Sequence, residues 1–148
     1  MVGGLIGTAT AEKDGLMSSS LFIENIVVKL AQTNGGNTSL YKVAYRNAFI
    51  LSDVFVLTDV GSYVSYRIVY SGNLSFSPNV ERMGYKGNTG ISNLRFYKDS
   101  GNNVYMLVTT GSYGLHIFNT NCVSTSNSKP ILEKQPSTDV SNFTEIVV

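Results

Sequence analysis

Side chains able to do covalent or metal chemistry are sparse in this chain, and their spacing limits what they can do. His116 is the sole histidine and Cys122 the sole cysteine, so any Ser-His-Asp or Cys-His nucleophilic site has to use His116. The run YGLHIFN puts His116 on one strand face with Gly114 and Phe118, a place that suits a hydrogen-bonded structural imidazole. Cys122 follows in NTNCVSTSNS, expected to lie past the strand end, with no basic neighbour to activate the thiol. One histidine and one cysteine do not make a tetrahedral zinc site. Calcium takes oxygen ligands, and KDSGNN offers Asp99, Ser100, Asn102 and Asn103. Without the late bidentate glutamate of an EF-hand, this stretch reads as a turn. Asp53 and Asp59 flank VFVLT, a spacing that sets them at opposite ends of one strand, too far apart for a glycosidase pair. No glycine pattern follows a strand and opens a helix, so no phosphate cradle is expected. The triplets NTS, NLS and NFT match a glycosylation sequon, which has meaning only in a eukaryotic secretory route. The expectation is a protein with no catalytic residues, no metal and no cofactor: not an enzyme.

Binding chemistry is better supplied. MGYKGNTG, residues 83–90, carries Tyr85, Lys86, Asn88 and Thr89, and TGSYG carries Tyr113. Tyrosines beside amides and hydroxyls on rigid turns can stack on sugar rings and bond their hydroxyls. The same residues also serve as plain turn polarity, with tyrosines folded back onto a sheet. Asp99, Asn102 and Asn103 supply a third candidate turn.

The elements that must position these groups read as strands. IVVKLAQ puts Ile26, Val28 and Leu30 on one face, and LYKVAYR sets Tyr41, Val43 and Tyr45 against Lys42, Ala44 and Arg46. YVSYRIVY places Val64, Tyr66, Ile68 and Tyr70 opposite Ser65 and Arg67, and NLRFYK sets Leu94 and Phe96 against Asn93 and Arg95. Leu115 and Ile117 continue the alternation, which has a period of two almost throughout. KDSGNN is a hairpin turn in which Gly101 is expected to supply a positive φ. KGNTG and TTGSYG are further tight reversals. Strands at roughly 8–12-residue spacing imply an all-β fold, an antiparallel β-sandwich of jelly-roll-like form. Residues 20–30 also fit a brief turn or helix followed by a strand. VFVL and VYMLV are apolar on both faces, so each is either a central core strand or a strand with its outer face against another subunit.

Composition sets the outer bounds. The 148 residues suit one domain, and a chain of this length buries roughly 70% of its unfolded surface without disulfides or metals. Charged residues are 14%, against about 25% in ordinary soluble domains. Asn, Ser, Thr and Gly take their place, with nine tyrosines, seven phenylalanines and no tryptophan. The surface is therefore polar without being ionic. A net charge of +1 gives no bulk attraction to nucleic acid or anionic lipid. No apolar run approaches the roughly 20 residues of a membrane span. The start MVGGLIGTATAEK lacks the basic region of a signal peptide, so secretion by that route is not expected.

ATAEKDGLMS, residues 9–18, resembles a linker that recurs in bacteriophage fibre proteins: Ala-Thr, a few polar residues, then Gly-Leu-Met-Ser. Such a linker precedes a trimeric coiled segment or a receptor-binding head. SSLFIENIV follows here in place of the usual Asp-Lys-x-Lys-Leu-Asp continuation, so no helical coiled segment is expected at this point. LRFYKDSGNNVYMLV and GLHIFNTN are similar, more loosely, to the sandwich heads that end phage fibres. Small residues at Ala9, Thr10 and Ala11 let three chains approach an axis, and Asp14-Gly15 turns the backbone at little steric cost. Leu16 and Met17 are then apolar knobs that three packed copies bury, at roughly 1.5–3 kcal/mol per large side chain.

The resemblance implies a short extended N-terminal connector and oligomerisation arm at 1–20, then a β-sandwich head at 21–148. The head would assemble as a homotrimer and bind a bacterial surface glycan or protein, while the arm meets other virion proteins. Its place would be the phage particle, after synthesis in the bacterial cytoplasm, with no nucleic-acid partner and no membrane insertion. A capsid head-fibre or decoration protein and a bacterial carbohydrate-binding module or adhesin are the alternatives. A depolymerase spike would need stacked repeats, and none is visible.

Overall fold

Alternating apolar and polar residues become ten strands in the computed structural model, which describes residues 28–33, 36–46, 49–71, 75–87, 91–110, 114–123 and 131–148. They are β1 (Val28–Thr33), β2 (Thr38–Ala44), β3 (Phe49–Thr58), β4 (Tyr63–Ser71), β5 (Asn79–Lys86), β6 (Ile91–Lys98), β7 (Val104–Thr110), β8 (Leu115–Val123), β9 (Glu133–Lys134) and β10 (Thr144–Ile146). The proposed connector with Leu16 and Met17, and the turn or helix ahead of β1, lie outside the described residues.

The strands form two antiparallel five-stranded sheets, ordered β1-β8-β3-β4-β5 and β10-β6-β7-β2-β9. This is an all-β antiparallel sandwich, as the period-two pattern implies. β1 pairs with β8 and β2 with β7, the nested pairings of a jelly roll. β3, β4 and β5 stay in one sheet as a meander. Val54, Val56, Val64, Ile68, Leu115 and Ile117 from the first sheet meet Val43, Phe96, Val104, Met106 and Val108 from the second. Tyr66 and Phe96 touch edge to face across the gap, centroids 4.8 Å apart, a favoured aromatic geometry.

The outer face of the second sheet is covered by the chain itself. β9 pairs with β2 at one edge, and β10 pairs with β6 at the other. The segment between them carries Val140 and Phe143 onto Leu40, Tyr97 and Tyr105, with the Phe143 ring stacked on Tyr105 at 4.6 Å. This strap accounts for VYMLV. Val104, Met106 and Val108 face the core, while Tyr105 and Leu107 face the strap.

A buried amide ties strap and sheets together. Asn119 on β8 is 0% exposed; its Oδ1 accepts from the Ser52 hydroxyl at 2.7 Å. Its Nδ2 donates to the Val43 carbonyl at 2.8 Å and to the Ile131 carbonyl. Val43 sits where the β2–β7 register slips between Lys42 and Ala44. A bulge of this kind leaves a residue unpaired in the ladder, and the amide takes up its carbonyl.

Several local expectations are corrected. The positive φ in KDSGNN belongs to Asn102, at 62°, rather than to Gly101. Asparagine tolerates this left-handed region, while a Cβ on Gly101 would meet Asn103 Nδ2 and Asp99 Oδ1 at 3.3 Å, so glycine serves close approach there. Cys122 lies inside β8, not beyond it, because β8 pairs with β3 as far as Val123. Asp53 is mid-strand, since β3 begins at Phe49. Tyr85 and Lys86 belong to strand β5 rather than to a turn.

Candidate functional site

The connections fall into two clusters at opposite ends of the sandwich. At one end stand the Asp59–Ser62 turn and the flanks of the β1–β2, β5–β6 and β7–β8 connections. Thr33 and Thr58 both pair with Leu115 there, and Asp59 N–H donates to the Gly114 carbonyl at 3.3 Å. At the other end lies the β6–β7 hairpin, bonded to its neighbours by Tyr70 Oη donating to the Asn102 carbonyl at 2.7 Å and Arg46 N–H donating to Asn103 Oδ1 at 3.1 Å. β1 runs from Val28 at this second end toward Thr33 at the first. β1 therefore starts on the hairpin side of the sandwich.

This polarity separates the residues chosen from sequence. Tyr85 and Lys86 lie on β5 near the end remote from the hairpin; Asn88, Thr89 and Tyr113 are outside the described residues. Asp99, Asn102 and Asn103 are at the opposite end, and their polar atoms are already engaged. The Asp99 carboxylate accepts from Gly101 N–H, Asn103 N–H, Asn103 Nδ2 and the Tyr105 hydroxyl, at 2.9–3.0 Å. Burial pushes the Asp99 pKa upward, but these donors together hold it below its ordinary value. Burial, then the Asp99 carboxylate, pushes the Tyr105 phenol up to about 12. The hairpin is a self-satisfied turn.

His116 also has a partner. Its Nε2 is 2.8 Å from Asp59 Oδ1, one residue beyond the end of β3, the hydrogen-bonded arrangement expected of it. Among the described residues no group of three His, Cys, Asp or Glu side chains is placed to hold a metal.

Among the described residues, two surfaces are left uncovered. The first is the outer face of the first sheet. The register aligns Phe118, Phe55 and Ser65 in one row, and His116, Leu57 and Tyr63 in the next. Phe55 is 43% exposed and Leu57 36%, while Val54 and Val56 between them are in the core. Phe55, Leu57, Tyr63, Phe118 and Thr120 line a shallow depression of 420 Å³. Beside it Arg67 grips Asp53 through two bonds, Nε to Oδ1 at 2.8 Å and Nη2 to Oδ2 at 3.0 Å. VFVL is thus a core strand on one side and, among the described residues, an uncovered apolar surface on the other.

The second surface is the flank along β5, the edge strand of the first sheet. Val64 pairs with Tyr85, and Tyr66 with Arg82; Val64 and Tyr66 point inward, so Tyr85 and Arg82 share that inward side at the open edge. The Arg82 guanidinium lies 5.4 Å from the Tyr85 ring centroid, within cation–π range. A cavity of 630 Å³ opens here, lined by Tyr66, Val80, Glu81, Arg82 and Val148. Sequence reasoning picked out Tyr85 but missed Arg82 and Tyr66, since NVERMGYK shows no alternation and Tyr66 reads as an ordinary core residue.

No family model matches the sequence, and no curated protein matches it. Among solved structures, the crystal structure of the Acinetobacter phage vB_ApiP_P1 tailspike protein aligns with 73% of this chain at 8% identity and a TM-score of 0.39. The chain spans 22% of that protein's length, a likeness too distant to carry function.

Proposed function

We propose that this chain is the head of a bacteriophage fibre, a homotrimeric virion protein that binds a bacterial surface receptor, a glycan, and carries out no catalysis. The observation that carries the reading is the polarity of the sandwich. The segment resembling a fibre linker precedes β1, which starts on the hairpin side, while Tyr85 and Lys86 on β5 lie toward the other end. A head anchored through residues 1–20 to other virion proteins would present the end away from the hairpin to the cell. Binding residues sit preferentially on loops held by a rigid scaffold. Trimeric assembly is supported by the bare face around Phe55 and Leu57, which suits contact with another copy. Three weak sites on one axis then gain through avidity, so high intrinsic affinity is unnecessary.

The same bare face suits a capsid head-fibre or decoration protein, and one experiment separates the two. Tyr85→Ala and Tyr113→Ala are expected to weaken binding to host cells while the melting temperature changes little. Normal cell binding by both variants would move the decoration reading ahead.

A further inference from the structure

We propose that the β5 flank is a binding site for an acidic sugar, its carboxylate taken by the Arg82 guanidinium and the Tyr66 hydroxyl. This names the chemistry of the receptor proposed above and rests on that reading.

The first observation is an unbonded polar atom. Tyr66 is 8% exposed, yet its hydroxyl has no hydrogen-bond partner among the described residues. Tyr45, Tyr70 and Tyr105 each donate to an oxygen at 2.7–3.0 Å. Buried polar groups are nearly always paired, and an exception calls for a cause. Tyr66 lines the 630 Å³ cavity. Burial raises the pKa of its phenol and the charge of Arg82 only partly offsets this, so at neutral pH it is a protonated donor.

The second observation is Arg82. It stands directly across the strand pair from Tyr66, and no carboxylate among the described residues pairs with it. An inward-pointing charge on an edge strand also guards against edge-to-edge association. That role is served anywhere along β5 and does not call for an unbonded phenol opposite. A planar guanidinium, braced on the Tyr85 ring and joined by a third donor, matches the fork of a carboxylate. The rest of the lining selects among anions. Glu81 repels a dianion such as phosphate more strongly than a singly charged carboxylate and accepts hydrogen bonds from ring hydroxyls, while Val80 offers apolar contact. The volume lies within the roughly 300–1,000 Å³ of small-molecule sites.

The test is amide-resolved NMR titration of the intact chain with glucuronate, glucose and inorganic phosphate. Glucuronate is expected to shift Val80, Glu81, Arg82 and Tyr66 saturably. Glucose and phosphate should bind at least about tenfold more weakly, the factor that one charge-assisted pair supplies. Arg82→Met should erase the preference for glucuronate over glucose. Tyr66→Phe should weaken glucuronate binding with an unchanged or higher melting temperature, because the deleted hydroxyl bonds to nothing in the protein. The proposal is overturned if glucose or phosphate binds as tightly as glucuronate, if no saturable shift occurs at the flank, or if Tyr66→Phe is clearly less stable. No cells are used, so failure here leaves the Tyr85 and Tyr113 test standing. Saturable glucuronate binding beside a failed cell test would leave the flank assigned and remove the receptor reading.

Discussion

Replacing Asn119 by alanine isolates the amide that joins both sheets to the strap. The substitution removes one acceptor and two donors at a site that is 0% exposed, stranding the Ser52 hydroxyl and the carbonyls of Val43 and Ile131. Each buried polar group left unpaired costs about 1–3 kcal/mol. Carbonyls keep a second lone pair and the site can relax, so the lower half of that range applies to each. The expected loss is about 3–6 kcal/mol. In a chain this long that lowers the melting temperature by roughly 6–24 °C. Ser52→Ala, which removes one of the three bonds, should cost about 1–2 kcal/mol. Urea unfolding followed by circular dichroism, at fixed protein concentration and with an unchanged m-value, reads both numbers. The strap should also exchange its amide hydrogens faster in Asn119→Ala, since Ile131 loses its tie to β8. A loss below about 1 kcal/mol for Asn119→Ala would refute the idea that this amide holds the layers together.

Phe55→Glu should leave the circular dichroism spectrum unchanged, because the side chain faces outward. If the proposed trimer forms through this face, the light-scattering mass should fall from about three times the 16.1 kDa chain to a single chain; an unchanged trimer would exclude this face as the contact. Phe143→Ala uncovers Leu40, Tyr97 and Tyr105 and, as Phe143 is only partly buried, is expected to cost about 1–3 kcal/mol in urea unfolding, and a near-neutral result would show that the strap does not clamp the sheet. Asp99 titrates below its ordinary value in the folded state, so its stabilising effect is full above the unfolded pKa of about 3.9 and fades as pH falls through the lower folded value. Asp99→Asn should therefore be less stable than the parent at neutral pH, with the gap in urea midpoint closing in that acid window; a gap independent of pH would contradict the role given to the carboxylate.

β4 was legible because one of its faces is apolar and the other more polar. Tyr63–Ser71 buries Val64, Tyr66, Ile68 and Tyr70 and leaves the alternate residues half exposed. β5 was not legible: an edge strand has a neighbour on one side only, and Asn79–Lys86 buries just Val80 fully, with a register slip opposite Ser65 and Tyr66. The strap was hidden for a different reason. It crosses its sheet, so Val140, Phe143 and Ile146 follow no strand period. Asn119 left a signal that went unused. It occupies the inward position after Leu115 and Ile117, as Ser52 does before Val54 and Val56, and two polar residues at core positions of alternating runs point to a buried hydrogen bond. Of the binding residues, Tyr85 could be chosen by type, but its neighbours Arg82 and Tyr66 are brought to it by strand pairing, which residue spacing alone does not report.

The most direct test of the receptor reading is binding of the fluorescently labelled intact chain to a panel of bacterial strains, with purified surface polysaccharide from each strain as competitor. The account predicts saturable binding to a subset of strains, abolished by the polysaccharide of the strain that is bound and by no other. Binding that is absent from every strain, or uniform across strains and indifferent to polysaccharide, would contradict it.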